Sequence, residues 1–127
     1  MKQLNITRSR KEYIIKDLKF NYDKLNDLLY VYRENSNVYT NIVVGEFHLE
    51  FDKEGEIVGM EILKASELLS EYGILKKSLE NIENVSFKVV VNNNSLLVFL
   101  GINALNEEKS ATITMSDIKS PIMQVVA

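Results

Sequence analysis

Cysteine is absent from this 127-residue sequence. Disulfides, thiolate metal centres and cysteine nucleophiles are therefore excluded. The composition is the one expected of a cytoplasmic chain rather than of a disulfide-stapled secreted one. Histidine and proline occur once each. Histidine chemistry would have to run through His48, and the serines at 66, 70 and 78 stand at no recognisable triad spacing from it. No apolar run approaches the roughly 20 residues that cross a bilayer. The basic N-terminus, MKQLNITRSRKEYIIK, lacks the apolar segment and cleavage site of a signal peptide. No Pro-, Gly- or Ser-rich stretch divides the chain, so a single domain over residues 1–127 is expected, long enough to bury a core without staples.

Charge is unevenly spread along the chain. Residues 1–24 carry a net +4 and the remainder a net −7. A basic arm of this kind can bind nucleic acid, or it can protect an edge strand with lysines or lie on an acidic body. Nucleic-acid binding is disfavoured because the body of the chain is acidic.

The centre of the sequence, FHLEFDKEGEIVGMEIL over Phe47–Leu63, reads as a β-hairpin. Phe47, Leu49 and Phe51 alternate on one arm, and Val58, Met60 and Ile62 on the other. Asp52-Lys53-Glu54-Gly55 is the turn, with Gly55 supplying left-handed backbone. A four-residue loop pairs Phe51 with Glu56, Leu49 with Val58 and Phe47 with Met60, so that the apolar faces coincide. The same register sets Glu46 opposite Glu61 and His48 opposite Gly59. Upstream, Tyr13-Ile14-Ile15 reads as a short edge strand after a polar lead-in over residues 1–12. Leu18–Tyr22 and Leu28–Arg33 read as further strands. Val38–Val44 is expected to run through Gly45 into Phe47–Phe51, with a bend or bulge at the glycine.

A helix is expected over residues 66–82. Ser66 is the candidate N-cap, and Leu68, Tyr72, Leu75, Leu79 and Ile82 lie at helical spacing. Gly73 inside it either kinks the helix or splits it in two. Val85–Val91 and Leu96–Ile102 form a second hairpin around Asn92-Asn93-Asn94-Ser95. Asn103–Ser110 reads as a polar connection before a last strand over Ala111–Met115, and Pro121 ends any strand beyond it. The expected fold is α+β: an antiparallel, meander-like β-sheet packed against one central amphipathic helix.

Three constellations carry candidate function. Glu46, His48 and Glu61 share the polar face of the central hairpin and offer oxygen and nitrogen ligands to a small ligand or divalent ion. The alternative is a solvated sheet face. Tyr30 and Tyr32 share a strand face with Leu28 and could anchor a protein interface or cap a small core. The nearly continuous apolar strands VVV and LLVFLGI, with Val98 and Phe99 at their centre, demand cover on both faces; a second copy of the chain is the simplest cover. Gly55 and Gly59 read as structural turn positions, since no strand–loop–helix context makes them a phosphate loop. No catalytic constellation emerges, and no cofactor is implied.

The segment Tyr22-Asp23…Asp27-Leu28-Leu29-Tyr30-Val31, followed by Phe51–Ser66 (FDKEGEIVGMEILKAS), resembles a domain-of-unknown-function family, number 2283. The resemblance covers about residues 20–66, with the helix (66–82) and a C-terminal β extension (85–115) beyond it. It implies a small β-rich unit without established catalytic residues, some short members of which resemble antitoxins. Asp27, Gly55, Gly59 and Glu61 match its pattern in turn, turn, close-packing and polar-face positions. The expected function is a non-enzymatic interaction protein, cytoplasmic and homodimeric. The alternatives are an antitoxin-like regulatory partner and a small-ligand or divalent-metal binder.

Overall fold

Apolar and polar residues alternate along most of this chain, and the backbone follows that period. The computed structural model describes residues 10–14, 18–92 and 95–115. In chain order these residues form β1 (Arg10–Ile14), β2 (Leu18–Asp23), β3 (Leu28–Arg33), β4 (Thr40–Val44), β5 (Phe47–Phe51), β6 (Ile57–Ile62), α1 (Ala65–Ser70), α2 (Lys76–Leu79), β7 (Ile82–Asn92), β8 (Ser95–Ala104) and β9 (Glu107–Met115). Every strand pairing is antiparallel. One sheet has the order β2-β3-β6-β5-β4 and the other β1-β7-β8-β9.

The apolar residues of the two sheets form one cluster. Leu29 and Val31 (β3), Phe47, Leu49 and Phe51 (β5), and Met60 and Ile62 (β6) join Phe87 and Val89 (β7) and Val98 and Leu100 (β8) in it. Burying a side chain of this size contributes ~2 kcal/mol. The sheets therefore supply most of the core, and the helical segment adds Ala65, Leu69, Ile74 and Leu79, with Leu68 packed against the core.

The expected α+β arrangement is corrected here: the described residues are mostly β, in two antiparallel sheets, and residues 66–82 form no central helix. Gly73 is the reason. It adopts φ +80°, its N–H bonds to the Ser70 carbonyl at 3.0 Å, and the Ile74 N–H reaches back to the Leu69 carbonyl at 3.1 Å. This is the Schellman stop, with Leu69 and Ile74 both buried as its apolar contact. Leu75 is then extended before α2 begins. The expected helical stripe is broken, leaving Tyr72 at 38% and Leu75 at 57% exposure, while Ile82 opens β7.

Local reversals account for the other departures. Val44 pairs with Phe47, so β4 and β5 are separate strands joined by a two-residue turn. Gly45 holds φ +58° at its first position, where such hairpins favour glycine. Ala104 likewise pairs with Glu107, and Leu105 and Asn106 both have positive φ. The stretch expected as a polar connection is thus a tight hairpin, with β9 beginning at Glu107. Strand β8 alternates buried and half-buried residues, so the run LLVFLGI is buried on one face and half-buried on the other. Val98 is wholly buried in the core, whereas Phe99 faces outward under the Lys88 ammonium, 5.1 Å from its ring centre. The expected edge strand near Tyr13 begins at Arg10. Most of the polar lead-in, together with Ile15, Asn93, Asn94 and Pro121, lies outside the described residues.

Candidate functional site

The outward face of the five-stranded sheet gathers most of the residues singled out from the sequence. Leu29 and Val31 point inward, so Tyr30 and Tyr32, which alternate with them, point outward. The ladder lays these residues in two transverse rows. One runs Asn21–Tyr30–Glu61–His48–Val43, the other Lys19–Tyr32–Gly59–Glu50–Asn41.

This register differs by two residues from the expected one. Phe51 pairs with Ile57, leaving a five-residue loop, and a bulge follows between Glu50 and Phe51 on the pairing with β6. Asp52 widens the loop: its Oδ1 accepts the Glu54 and Glu56 N–H groups at 3.0 and 2.9 Å. Gly55 closes it at φ +80°. His48 consequently stands opposite Glu61, not Gly59, and Glu46 falls in the β4–β5 turn. His48 Nδ1 lies 3.4 Å from Glu61 Oε1. Among the described residues no three His, Asp or Glu side chains come together in a group able to hold a metal. The structure therefore joins two of the three expected ligands.

Gly59 is a strand residue within β6, where a turn was one expectation. Its lack of a side chain is used. A Cβ placed there would collide with Glu50 Oε1 and sit 3.4 Å from a Tyr30 ring carbon. Across that gap the Tyr30 hydroxyl donates to Glu50 Oε1 at 2.6 Å, and the Tyr30 and Tyr32 rings stack with centroids 4.7 Å apart. Burial, and then the hydrogen bond to Glu50, push the Tyr30 phenol well above its ordinary range. A phenol held neutral against a carboxylate is a fixed donor, not a nucleophile or base.

A second polar cluster was missed in the sequence as a unit. Asp27, in the β2–β3 turn at φ +52°, accepts the Tyr22 hydroxyl at 2.5 Å. It also accepts the Ser66 N–H at 2.9 Å and the Ser66 hydroxyl at 2.7 Å, while its own carbonyl takes the Ala65 N–H at 2.9 Å. Asp27 thus caps α1 from 39 residues away. Ser66, expected to be the cap, is instead a first-turn donor. Burial alone would raise the Asp27 pKa, but the bonds from Tyr22 and Ser66 and the nearby Lys76 hold it below the usual carboxylate range. Tyr22 moves the other way, raised by burial and then by Asp27. The only signal for this clasp was the appearance of Asp27 and Ala65-Ser66 at either end of one family pattern.

The interface candidates divide. Tyr30 and Tyr32 are half-buried on the outward face, and Phe99 is half-buried on the outward face of the other sheet; Val98 is interior.

An uncharacterized protein of Methanocaldococcus jannaschii is 35% identical over 65 residues, covering 50% of this chain and 56% of that relative. No solved structure is a significant match. Residues 19–66 match the model of a family described as a protein of unknown function (DUF2283). That span starts inside β2 and stops at Ser66, so the likeness to this family lies in the five-stranded sheet together with its Asp27–Ser66 clasp.

Proposed function

We propose that this protein is a non-enzymatic interaction protein that associates with copies of itself. The observation that carries this reading is the contrast among the sheet edges. Natural edge strands are kept from pairing by charged residues. Strand β1 contains Arg10, Lys11 and Glu12, β2 contains Lys19 and Asp23, and β9 contains Glu107, Glu108 and Lys109. Among the described residues strand β4, TNIVV, ends the five-stranded sheet, and it contains no charge. Just before it Tyr39 is 69% exposed, and within it Val43 is 60% exposed. The non-enzymatic half of the reading is supported by the engagement of the polar side chains described above: Tyr30 with Glu50, His48 with Glu61, and Asp27 with Tyr22 and Ser66.

Light scattering coupled to size exclusion, run over a wide range of loading concentrations, tests it. A mass of two chains at the higher concentrations is expected. A mass of one chain at every concentration overturns the reading.

A further inference from the structure

We infer that two copies of the chain join through β4, antiparallel about a twofold axis passing at Ile42, so that their five-stranded sheets become one continuous sheet. The inference rests on the self-association reading and says which surface carries it. The pleat limits the register. Ile42 and Val44 face the core while Asn41 and Val43 face outward, so a pairing that keeps like faces together must match residues of the same parity. Centring on Ile42 satisfies this and pairs all of β4. Thr40 then stands opposite Val44 of the partner subunit, and Asn41 opposite Val43 of the partner subunit.

The flanking residues make this register self-complementary. One step beyond the strand, Tyr39 falls opposite Gly45 of the partner subunit. Tyr39 is tied in place by its N–H, which bonds the Phe51 carbonyl at 2.8 Å, and its ring is among the most exposed of the large apolar side chains. Gly45 is the complement, since a Cβ built on it meets nothing within 4 Å. An aromatic ring laid across an edge glycine covers backbone that is otherwise bare, a recognised device for fixing register. The twofold axis makes the same contact twice. The charges of the other edges are missing here, so the two strands meet without like-charge repulsion.

The absence of cysteine makes the test clean. Directly opposed residues of an antiparallel pair have Cα atoms about 4.5–5.5 Å apart, within the range a disulfide spans. The variant carrying both Asn41→Cys and Val43→Cys should form a covalent dimer under mild oxidation, and either single variant far less of it. The variant carrying both Asn41→Lys and Val43→Lys sets lysines opposite lysines across the axis. It should scatter as one chain while melting as the wild type does at low concentration. A dimer that survives both lysines refutes the β4 edge and leaves self-association standing. A dimer lost to the lysines but not cross-linked by the cysteine pair refutes the Ile42-centred register. A wild type that is one chain at every concentration refutes self-association itself.

Discussion

The two sheets hold themselves together by different means. Strands of the five-stranded sheet are five or six residues long, and polar side chains bridge them: Tyr30 to Glu50, His48 to Glu61, and Asp27 to Tyr22 and onward to Ser66. Strands β7 and β8 are eleven and ten residues long. Their pairing runs nearly their whole length, and half of their residues go to the apolar core. A short strand has few ladder bonds with which to resist fraying, so the side-chain ties matter more there. A long hairpin is held by its ladder and its burial. The family likeness falls on the five-stranded sheet and its Asp27–Ser66 clasp.

This contrast can be broken at several points. Phe87→Ala removes a large core side chain from β7 and should cost about 4 kcal/mol in denaturant unfolding, through lost transfer energy and the cavity left behind. Asp27→Ala should cost about 3 kcal/mol, although it removes little apolar area, because it strips a helix cap and a charge-assisted bond together. If it costs as little as an ordinary surface substitution, the clasp does not hold the five-stranded sheet.

The pH dependence sharpens the same point. The Asp27 carboxyl titrates lower in the folded state than in the unfolded chain. Its stabilising contribution is therefore present above the ordinary carboxylate range and is lost as pH falls through the lowered folded value. Asp27→Asn keeps a residue that tolerates positive φ and removes the charge. Its deficit relative to wild type should be largest near neutral pH and should shrink in acid, measured by urea unfolding at both.

Gly59→Ala should change stability by only about 1 kcal/mol, since the gain in strand propensity offsets part of the lost Tyr30–Glu50 bond. Its clearer readout is spectroscopic. Tyr30 should return toward the ordinary phenol range in an ultraviolet base titration, while Tyr22 stays high. The smallest effect should be a gain. Leu105 has φ +54°, a costly conformation for a branched apolar residue in a tight hairpin. Leu105→Asn should raise stability by about 0.5–1 kcal/mol, seen as a higher melting temperature.

Much of the five-stranded sheet was legible from alternation alone. The faces of Tyr30, Tyr32, Phe47, Leu49 and Met60 follow from a period of two, whichever register the hairpin takes. The register itself was not legible, because an aspartate side chain enlarged the loop after Phe51 and a bulge followed it. That shift moved His48 from opposite Gly59 to opposite Glu61, set Glu50 opposite Gly59 and took Glu46 out of the candidate site. The helix over 66–82 was misread for a related reason. A stripe at helical spacing says which residues could share a face, but the Gly73 stop and the competing burial of Ile82 in β7 outweighed it.

By itself the sequence determined what this chain cannot use, cysteine chemistry above all. It also determined the alternation that makes strands, and the family likeness over the central hairpin. Only the tertiary structure decided that the strands divide into two sheets, that Asp27 meets Ser66, that Glu50 crosses Gly59 to reach Tyr30, and that β4 ends its sheet, among the described residues, as an uncharged edge. The physical reason is range. Alternation and turn preference act between neighbours in the chain, whereas a clasp, a register and an edge exist only once distant segments have been brought side by side.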